Sequence, residues 1–262
     1  MFNEKPIVSK WVADMYDQNI IETHDVDFLL SIIGNRSKRI LEVCCGSGRI
    51  LVPLVKAGHI VQGMDFDEYM LAKIQVKASG YNNIQWKSAD VILDDWGTGF
   101  DVVVLAGNIL YNIISDMEYV KAQELLIQKA ASALVHGGYV YIEYQPGNLY
   151  INQLNQSYKT DKKWVVFEGT DDDGNHGRMI LIGDNFDEAT GMDSFTRRFE
   201  LTLKNGETIV QDIPSKKHFV SLEKLHYWLN INGFIIEQEY GDTKKNPVNN
   251  ESRGVIIYAR KI

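Results

Sequence analysis

The sequence predicts an α/β protein, a mostly parallel sheet with helices on both faces and a smaller antiparallel β segment inserted before its last helix. Three observations carry this prediction. Short apolar runs alternate with amphipathic helical patterns from about residue 38 to 146. The first run, Arg39-Ile40-Leu41-Glu42-Val43-Cys44-Cys45, ends in the turn Gly46-Ser47-Gly48 and leads into an apolar helical pattern. After Pro146 the chain changes to strand-like runs separated by turn residues.

The elements follow in order. Residues 1–37 are expected to be a helical segment, with an apolar helix at 25–33. Strands are expected at 39–44, 60–65, 84–87, 101–106 and 138–144, and helices at 48–57, 67–79 and 117–134. Gly58, Gly80 and Gly137 are natural stop signals. In the insert, 147–214, strands are expected at 163–168, 178–185, 193–203 and 207–213. Asp173-Gly174-Asn175, Ala189-Thr190-Gly191 and Asn205-Gly206 supply the turns between them. Ser221 should cap a helix running to about Asn232, with Gly233 just past its end. Two last strands, 234–241 and 254–261, would pair antiparallel.

Composition bounds the function. The chain has 262 residues, 45% hydrophobic, enough for one sizeable core and a smaller lobe. A net charge of -8 without a basic stripe argues against nucleic acid as a partner. No stretch approaches the roughly 20 apolar residues of a membrane span. The start, Met1-Phe2-Asn3-Glu4-Lys5-Pro6, lacks the pattern of a secretory signal, so a cytoplasmic location is expected. The only cysteines, Cys44 and Cys45, are neighbours, which suits neither a disulfide nor a zinc site; they read as small packing residues. Asp171-Asp172-Asp173 lacks the spaced ligands of a calcium loop and reads as a solvated turn, so no metal is expected.

The glycine turn carries the first functional signal. Gly46 and Gly48 let the backbone turn tightly and let a ligand lie against it, and a following helix would favour an anionic group. A dinucleotide fingerprint wants a third glycine where this chain has Leu51, or a first one where it has Cys44. Asp65 closes the second strand, 23 residues after Glu42, and a carboxylate there can accept both hydroxyls of a ribose, in an NAD site as well as any other. The fourth strand exits at Gly107-Asn108, which puts Asn108 and Tyr111 at the ligand edge of the sheet. Glu143, Tyr144 and Gln145 end the fifth strand at that edge, where alternation forbids all three from pointing the same way.

Glu42 followed by Cys45-Gly46-Ser47-Gly48 resembles motif I of the class I S-adenosylmethionine (SAM) methyltransferases, Glu/Asp-x-Gly-x-Gly-x-Gly, with Cys44 in place of its first glycine. Asp65-Phe66-Asp67 leading into Met70-Leu71 resembles the same family's second motif, and Ser88-Ala89-Asp90-Val91 its third, where an Asp accepts from the adenine amine. Asp94 and Asp95 then read as a cap or loop. The resemblance implies a seven-stranded, Rossmann-like sheet, mostly parallel with a reversed last strand, formed by 38–146 and 215–262. It implies SAM as cofactor, S-adenosylhomocysteine as product, and a cofactor set of Glu42, Cys44, Gly46, Gly48, Asp65, Phe66, Met70, Asp90, Val91 and Leu105.

Leu105-Ala106-Gly107-Asn108, the run Val140-Tyr141-Ile142-Glu143-Tyr144 and the β-rich insert look like the glycine/sarcosine and amino-sugar N-methyltransferase branch. In that branch the N-terminal segment closes over the cofactor, which makes 1–37 a lid carrying Trp11, Tyr16 and Asp17. The catalytic candidates are Asn108, Tyr111, Tyr16 and His218, with His24 a further proton acceptor. The expected function is methyl transfer to a nitrogen or oxygen of a small molecule. The alternatives are a non-catalytic SAM-binding regulator and an NAD(P)-dependent oxidoreductase. The insert is expected to cover substrate and to offer sheet edges through which a homodimer could form.

Overall fold

A computed structural model describes residues 4–147, 149–150, 163–183 and 185–262. Its helices are α1 (Pro6–Asn19), α2 (His24–Ile33), α3 (Leu51–Lys56), α4 (Glu68–Lys77), α5 (Ile109–Asn112), α6 (Tyr119–Ala133) and α7 (Leu222–Ile231). Its strands are β1 (Arg39–Val43), β2 (Ile60–Asp65), β3 (Ile84–Ser88), β4 (Phe100–Leu105), β5 (Leu134–Tyr144), β6 (Lys163–Thr170), β7 (His176–Ile182), β8 (Met192–Thr202), β9 (Thr208–His218), β10 (Phe234–Tyr240) and β11 (Val255–Lys261). Two compact units contain them: Thr23–Gln153 with Phe219–Ile262, and Met1–Glu22 with Leu154–His218.

The larger unit is built on a seven-stranded sheet of order β10-β11-β5-β4-β1-β2-β3. Strands β3, β2, β1, β4 and β5 run parallel, and β11 runs antiparallel to both β5 and β10, the reversed strand that the sequence implies. Strand alternation gives each face its own core. Leu41, Val43, Val103, Val140 and Ile142 pack with Leu126 and Ile127 of α6 and with Trp228 of α7. Ile40, Val61, Val102, Val104 and Tyr141 pack with Phe28 and Leu29 of α2, with α3, and with Ile74 of α4. The strand order reverses at β1, which lies between β2 and β4, and the carboxyl ends of these strands frame the crevice where open α/β sheets bind ligands.

Local chemistry explains where elements start and stop. Asp67 caps α4, accepting from the amides of Tyr69 and Met70, and Ser221 caps α7, accepting from Lys224. Helix α3 begins at Leu51, later than expected at 48, because Gly48 has φ 80° and donates back to the Cys45 carbonyl, so the turn extends to residue 50. Strand β5 begins at Leu134, four residues early, with a register shift opposite Phe100/Val102 and Gly137 at φ 79° within it.

The smaller unit is a four-stranded antiparallel meander, β6-β7-β8-β9, with α1 packed on one face. Val8, Trp11 and Met15 of α1 share a core with Phe167, Phe199, Leu201 and Ile213. The compact units thus divide the chain differently from the expected 1–37, 147–214 and core boundaries: α1 belongs with the insert's sheet, and α2 with the seven-stranded sheet. The cause is burial, since an isolated meander exposes one apolar face and α1 covers it. Asp171 is buried in the turn after β6, accepting from the amides of Asp173 and Asn175 and from the Asn175 side chain. Its partners are protein groups, and the described residues contain no cluster suited to a metal ion. No helix among the described residues is long and apolar enough to cross a membrane.

Candidate active site

The turn after β1 is held from three sides. Cys44 adopts φ 57°, Gly46 φ 51° and Gly48 φ 80°, all left-handed, so the departure from glycine at residue 44 puts a side chain in strained backbone. The Gly46 amide donates to Asp65 Oδ2 at 2.8 Å, and the Asp67 amide donates to Asp65 Oδ1 at 2.9 Å. From α4, Lys77 Nζ donates to the Ser47 carbonyl at 2.9 Å and to its Oγ at 3.2 Å. Arg49 makes a bidentate pair with Asp25 of α2, at 2.8 and 2.5 Å. Sequence reading missed both Lys77 and Arg49, because neither pairing has a local spacing that announces it.

Asp65 is buried, and burial raises its carboxyl above the usual range against the two amides that lower it. Each carboxylate oxygen accepts one amide and keeps a lone pair for a further donor such as a ribose hydroxyl. Phe66 is exposed, Met70 half-buried and Val91 buried beside it in sequence order along the β2 and β3 ends. Asp90 Oδ1 accepts from Ile92 and Leu93, while Asp94 accepts from the Asp90 amide, so the two acids close this loop reciprocally. Leu105 has 0% exposure and lies in the core. Its side chain is not available to a ligand, because the end of β4 is covered on both faces.

Glu42 ends β1 on the face that carries α2. It is 4% exposed, its Oε2 has no hydrogen-bond partner, and burial lifts it well above the usual carboxylate range. Glu143 lies on the same face at the end of β5. It accepts from the Tyr141 hydroxyl at 2.8 Å and from the Gly107 amide at 3.2 Å, and burial raises it too. Gly107 and Asn108 both adopt left-handed φ, 64° and 60°, at the exit of β4. Backbone strain at the ends of β1 and β4 therefore flanks one crevice, as is usual for ligand sites.

The opposite face carries aromatic residues. Tyr111 of α5 packs 4.5 Å from Phe219 and 6.4 Å from Tyr144, and Tyr150 stacks on Phe219 at 4.2 Å. Burial pushes the Tyr111 hydroxyl up to about 12, so it stays protonated at neutral pH. Tyr144 donates to the Val220 carbonyl, and buried Gln123 of α6 donates to the Leu110 carbonyl, which fixes α5. Asn108 makes no side-chain cap for α5.

Tyr16 and His218 belong to the smaller unit. Tyr16 packs against the α1 cluster, and His218 is buried at the end of β9. Trp11, expected on a lid, is instead wholly buried in that unit's core and donates to the Gly169 carbonyl. His24 is exposed at the start of α2.

Comparison with known proteins agrees with this architecture. Residues 40–138 match the family described as Methyltransferase domain. A protein of Geobacillus sp. (strain WCH70) whose name assigns it to the methyltransferases is 34% identical over 83 residues, 31% of this chain. This match spans only 34% of that relative's length. The CcbJ methyltransferase of Streptomyces caelestis has a similar solved structure, with TM-score 0.72, 18% identity and 97% of each chain covered. So has SAM-bound CalS10, an amino pentose methyltransferase of Micromonospora echinaspora, with TM-score 0.60, 14% identity and coverage of 100% of this chain and 99% of that one. Residues 40–138 thus resemble a methyltransferase domain, and the chain shares the fold of these solved methyltransferases.

Proposed function

We propose that this protein transfers a methyl group from SAM to a nitrogen of a small molecule. The observation that carries the reading is the pairing of the left-handed Gly46-Ser47-Gly48 turn with two buried carboxylates, Glu42 and Asp65, one of which has an oxygen without a partner. A buried orphan carboxylate oxygen fits a ligand that brings a cation, and SAM carries both an ammonium and a sulfonium group. When bound, SAM supplies an electrophilic methyl on a good leaving group. Asp65 would hold the ribose, Gly46 and Gly48 would let the backbone lie against the cofactor, and Phe66, Met70 and Val91 would pack on the base with Asp90 as its polar partner.

The chain's own work is binding, alignment and exclusion of water. Asn108 sits at the exit of β4 in a strained conformation, and Tyr111 with Tyr144, Phe219 and Tyr150 offers an aromatic wall. Such a wall favours an amine while it carries its positive charge. An amine acceptor must shed a proton before transfer. The net charge of -8 suits a cationic or neutral acceptor better than a polyanion. The amino pentose methyltransferase among the similar folds supports a sugar amine as the class to try first.

An oxidoreductase reading is disfavoured by Leu51, which is fully buried against β2 where a dinucleotide fold needs glycine. Calorimetry with SAM and with NAD, followed by methyl transfer from labelled SAM to a library of amines and alcohols, tests the proposal. Saturable SAM binding with label on an amine supports it. Binding of NAD but not SAM refutes it, and SAM binding without transfer to any acceptor leaves the regulator reading in its place.

A further inference from the structure

The loop of residues 90–96, which follows β3, is braced by a side chain that lies 38 residues away in the sequence. Lys129, half-buried on α6, donates through Nζ to the Val91 carbonyl at 3.0 Å and to the Asp94 carbonyl at 2.7 Å. Its ammonium also lies 5.7 Å from the ring centroid of Trp96. That ring is buried, and its Nε1 donates to the same Val91 carbonyl at 2.9 Å. Lys87 of β3 donates to the Asp95 carbonyl at 2.7 Å. Three carbonyls of one short loop thus take their donors from side chains, where a helix or sheet would supply backbone amides.

The bracing decides how Asp90 is presented. Its Oδ1 accepts from the Ile92 amide at 2.8 Å and from the Leu93 amide at 3.1 Å. Its own amide donates to Asp94 Oδ2 at 2.7 Å, and the Asp94 amide donates back to the Asp90 carbonyl at 2.8 Å. One carboxylate oxygen is therefore pinned by two backbone donors, while no described residue donates to Oδ2. The Ala89 amide donates to the Asp65 carbonyl at 2.8 Å, which ties the start of the loop to the end of β2. Asp90, Asp94 and Asp95 all attract the charge of Lys129. Without that cation the three acids would repel one another and the Asp94 carbonyl would lose its donor. Helix α6 is a firm base for such a brace, because Leu126, Ile127 and Ala130 bury it in the core.

We propose that Lys129 is a positioning residue for base recognition: by holding the Val91 and Asp94 carbonyls it keeps Asp90 Oδ1 pinned and Oδ2 aimed outward, so that the protein selects a 6-aminopurine over a 6-oxopurine. The inference rests on the SAM reading above, in which Asp90 is the polar partner of the base, and adds the residue that makes this partner selective. Lys129 touches no ligand and acts through the loop. A carboxylate oxygen can only accept, so Oδ2 suits an exocyclic amine and repels the carbonyl oxygen that a 6-oxopurine puts in its place. The pinned Oδ1 has a further consequence. In Asp90→Asn the amide oxygen would take over the Ile92 and Leu93 amides, leaving Nδ2, a donor, to face the base. The preference between the two purines should then reverse.

Calorimetry on the full chain with S-adenosylhomocysteine and with its 6-oxo analogue, S-inosylhomocysteine, tests this. The unaltered protein should favour the adenosyl ligand about tenfold or more, the worth of one hydrogen bond to a charged group. Lys129→Met keeps the apolar stem against Trp96 and removes the ammonium. It should bring the two affinities within about threefold of each other, mainly by weakening the adenosyl ligand. Asp90→Asn should favour the inosyl ligand, and adding Lys129→Met to it should erase that reversed preference too. A brace that serves stability alone would weaken both ligands equally, so an unchanged ratio in folded Lys129→Met overturns the proposal. Amide exchange of the unaltered protein gives a check that needs no variant. The Ile92 and Leu93 amides should be protected before any ligand is added, and protection that appears only with ligand overturns the prearranged loop. A ratio unmoved by Asp90→Asn removes Asp90 from the base and the proposal with it, while leaving SAM binding intact. A protein that binds neither ligand overturns the SAM reading itself.

Discussion

At the scale of single residues, Cys44 and Asp65 show how the cofactor turn is tuned. Cys44 occupies a left-handed conformation that costs a side chain ~1–2 kcal/mol relative to glycine. Cys44→Gly should therefore stabilise the protein by about 1 kcal/mol, less whatever its thiol gains from packing. The midpoint of urea unfolding measures it, and an unchanged or lower midpoint would mean that packing outweighs strain. Asp65 joins β2 to the turn through the Gly46 and Asp67 amides. Asp65→Ala should weaken SAM by roughly 1.5–3 kcal/mol, the range for hydrogen bonds to a charged group. Asp65→Asn keeps one acceptor oxygen and should lose less. Equal SAM affinity for a folded Asp65→Ala protein, read by calorimetry, would refute its ribose role.

At the scale of elements, the packing of α3 on the sheet is decided by Gly63 in the middle of β2. A β-carbon there would meet Cys45 Sγ at 2.7 Å and Leu51 Cδ2 at 2.9 Å. The glycine that a dinucleotide fold places on the helix stands here on the strand, which is why Leu51 is tolerated at the helix start. Gly63→Ala should cost about 1–3 kcal/mol by overpacking, even though its own backbone is not left-handed. A second change, Leu51→Ala in the Gly63→Ala background, should recover part of the loss. If the two losses simply add in denaturant titrations, the contact is not the cause.

At the scale of the whole molecule, two predictions follow from burial. His59 is wholly buried, neither ring nitrogen has a partner, and burial with nearby Lys38 lowers its pKa. The unfolded chain takes up a proton at His59 near pH 6.5, while the folded protein resists it. The stability due to neutral His59 is thus present above about pH 6.5 and lost as pH falls toward the folded value. His59→Phe should flatten this acid-side fall, and parallel stability–pH curves for the two proteins would exclude His59 as its source. The second prediction uses the two units. Because α1 shares a core with β6–β9, removing the insert alone would strip the cover from Val8, Trp11 and Met15. A chain of residues 23–150 joined directly to 219–262 should fold and bind SAM. Loss of SAM binding in that folded chain would show that the cofactor needs the smaller unit.

What the sequence by itself determined is the set of features written in local spacing. Strand-length apolar runs, the turn at Gly46 to Gly48, the cap at Ser221 and the acids at 42, 65 and 90 each depend on near neighbours, so the parallel sheet and its glycine turn were legible before any coordinates. The reversed β11 came from family resemblance and is there in the sheet. Only the tertiary structure decided the rest. It joined Glu143 to Gly107, Arg49 to Asp25 and Lys77 to Ser47 across 36, 24 and 30 residues. It also gave α1 to the insert and moved Leu105 into the core. These are outcomes of which faces bury one another. Periodicity shows that a strand or helix has an apolar face, but it does not say which other face will cover it, or which polar groups are left beside each other when it does.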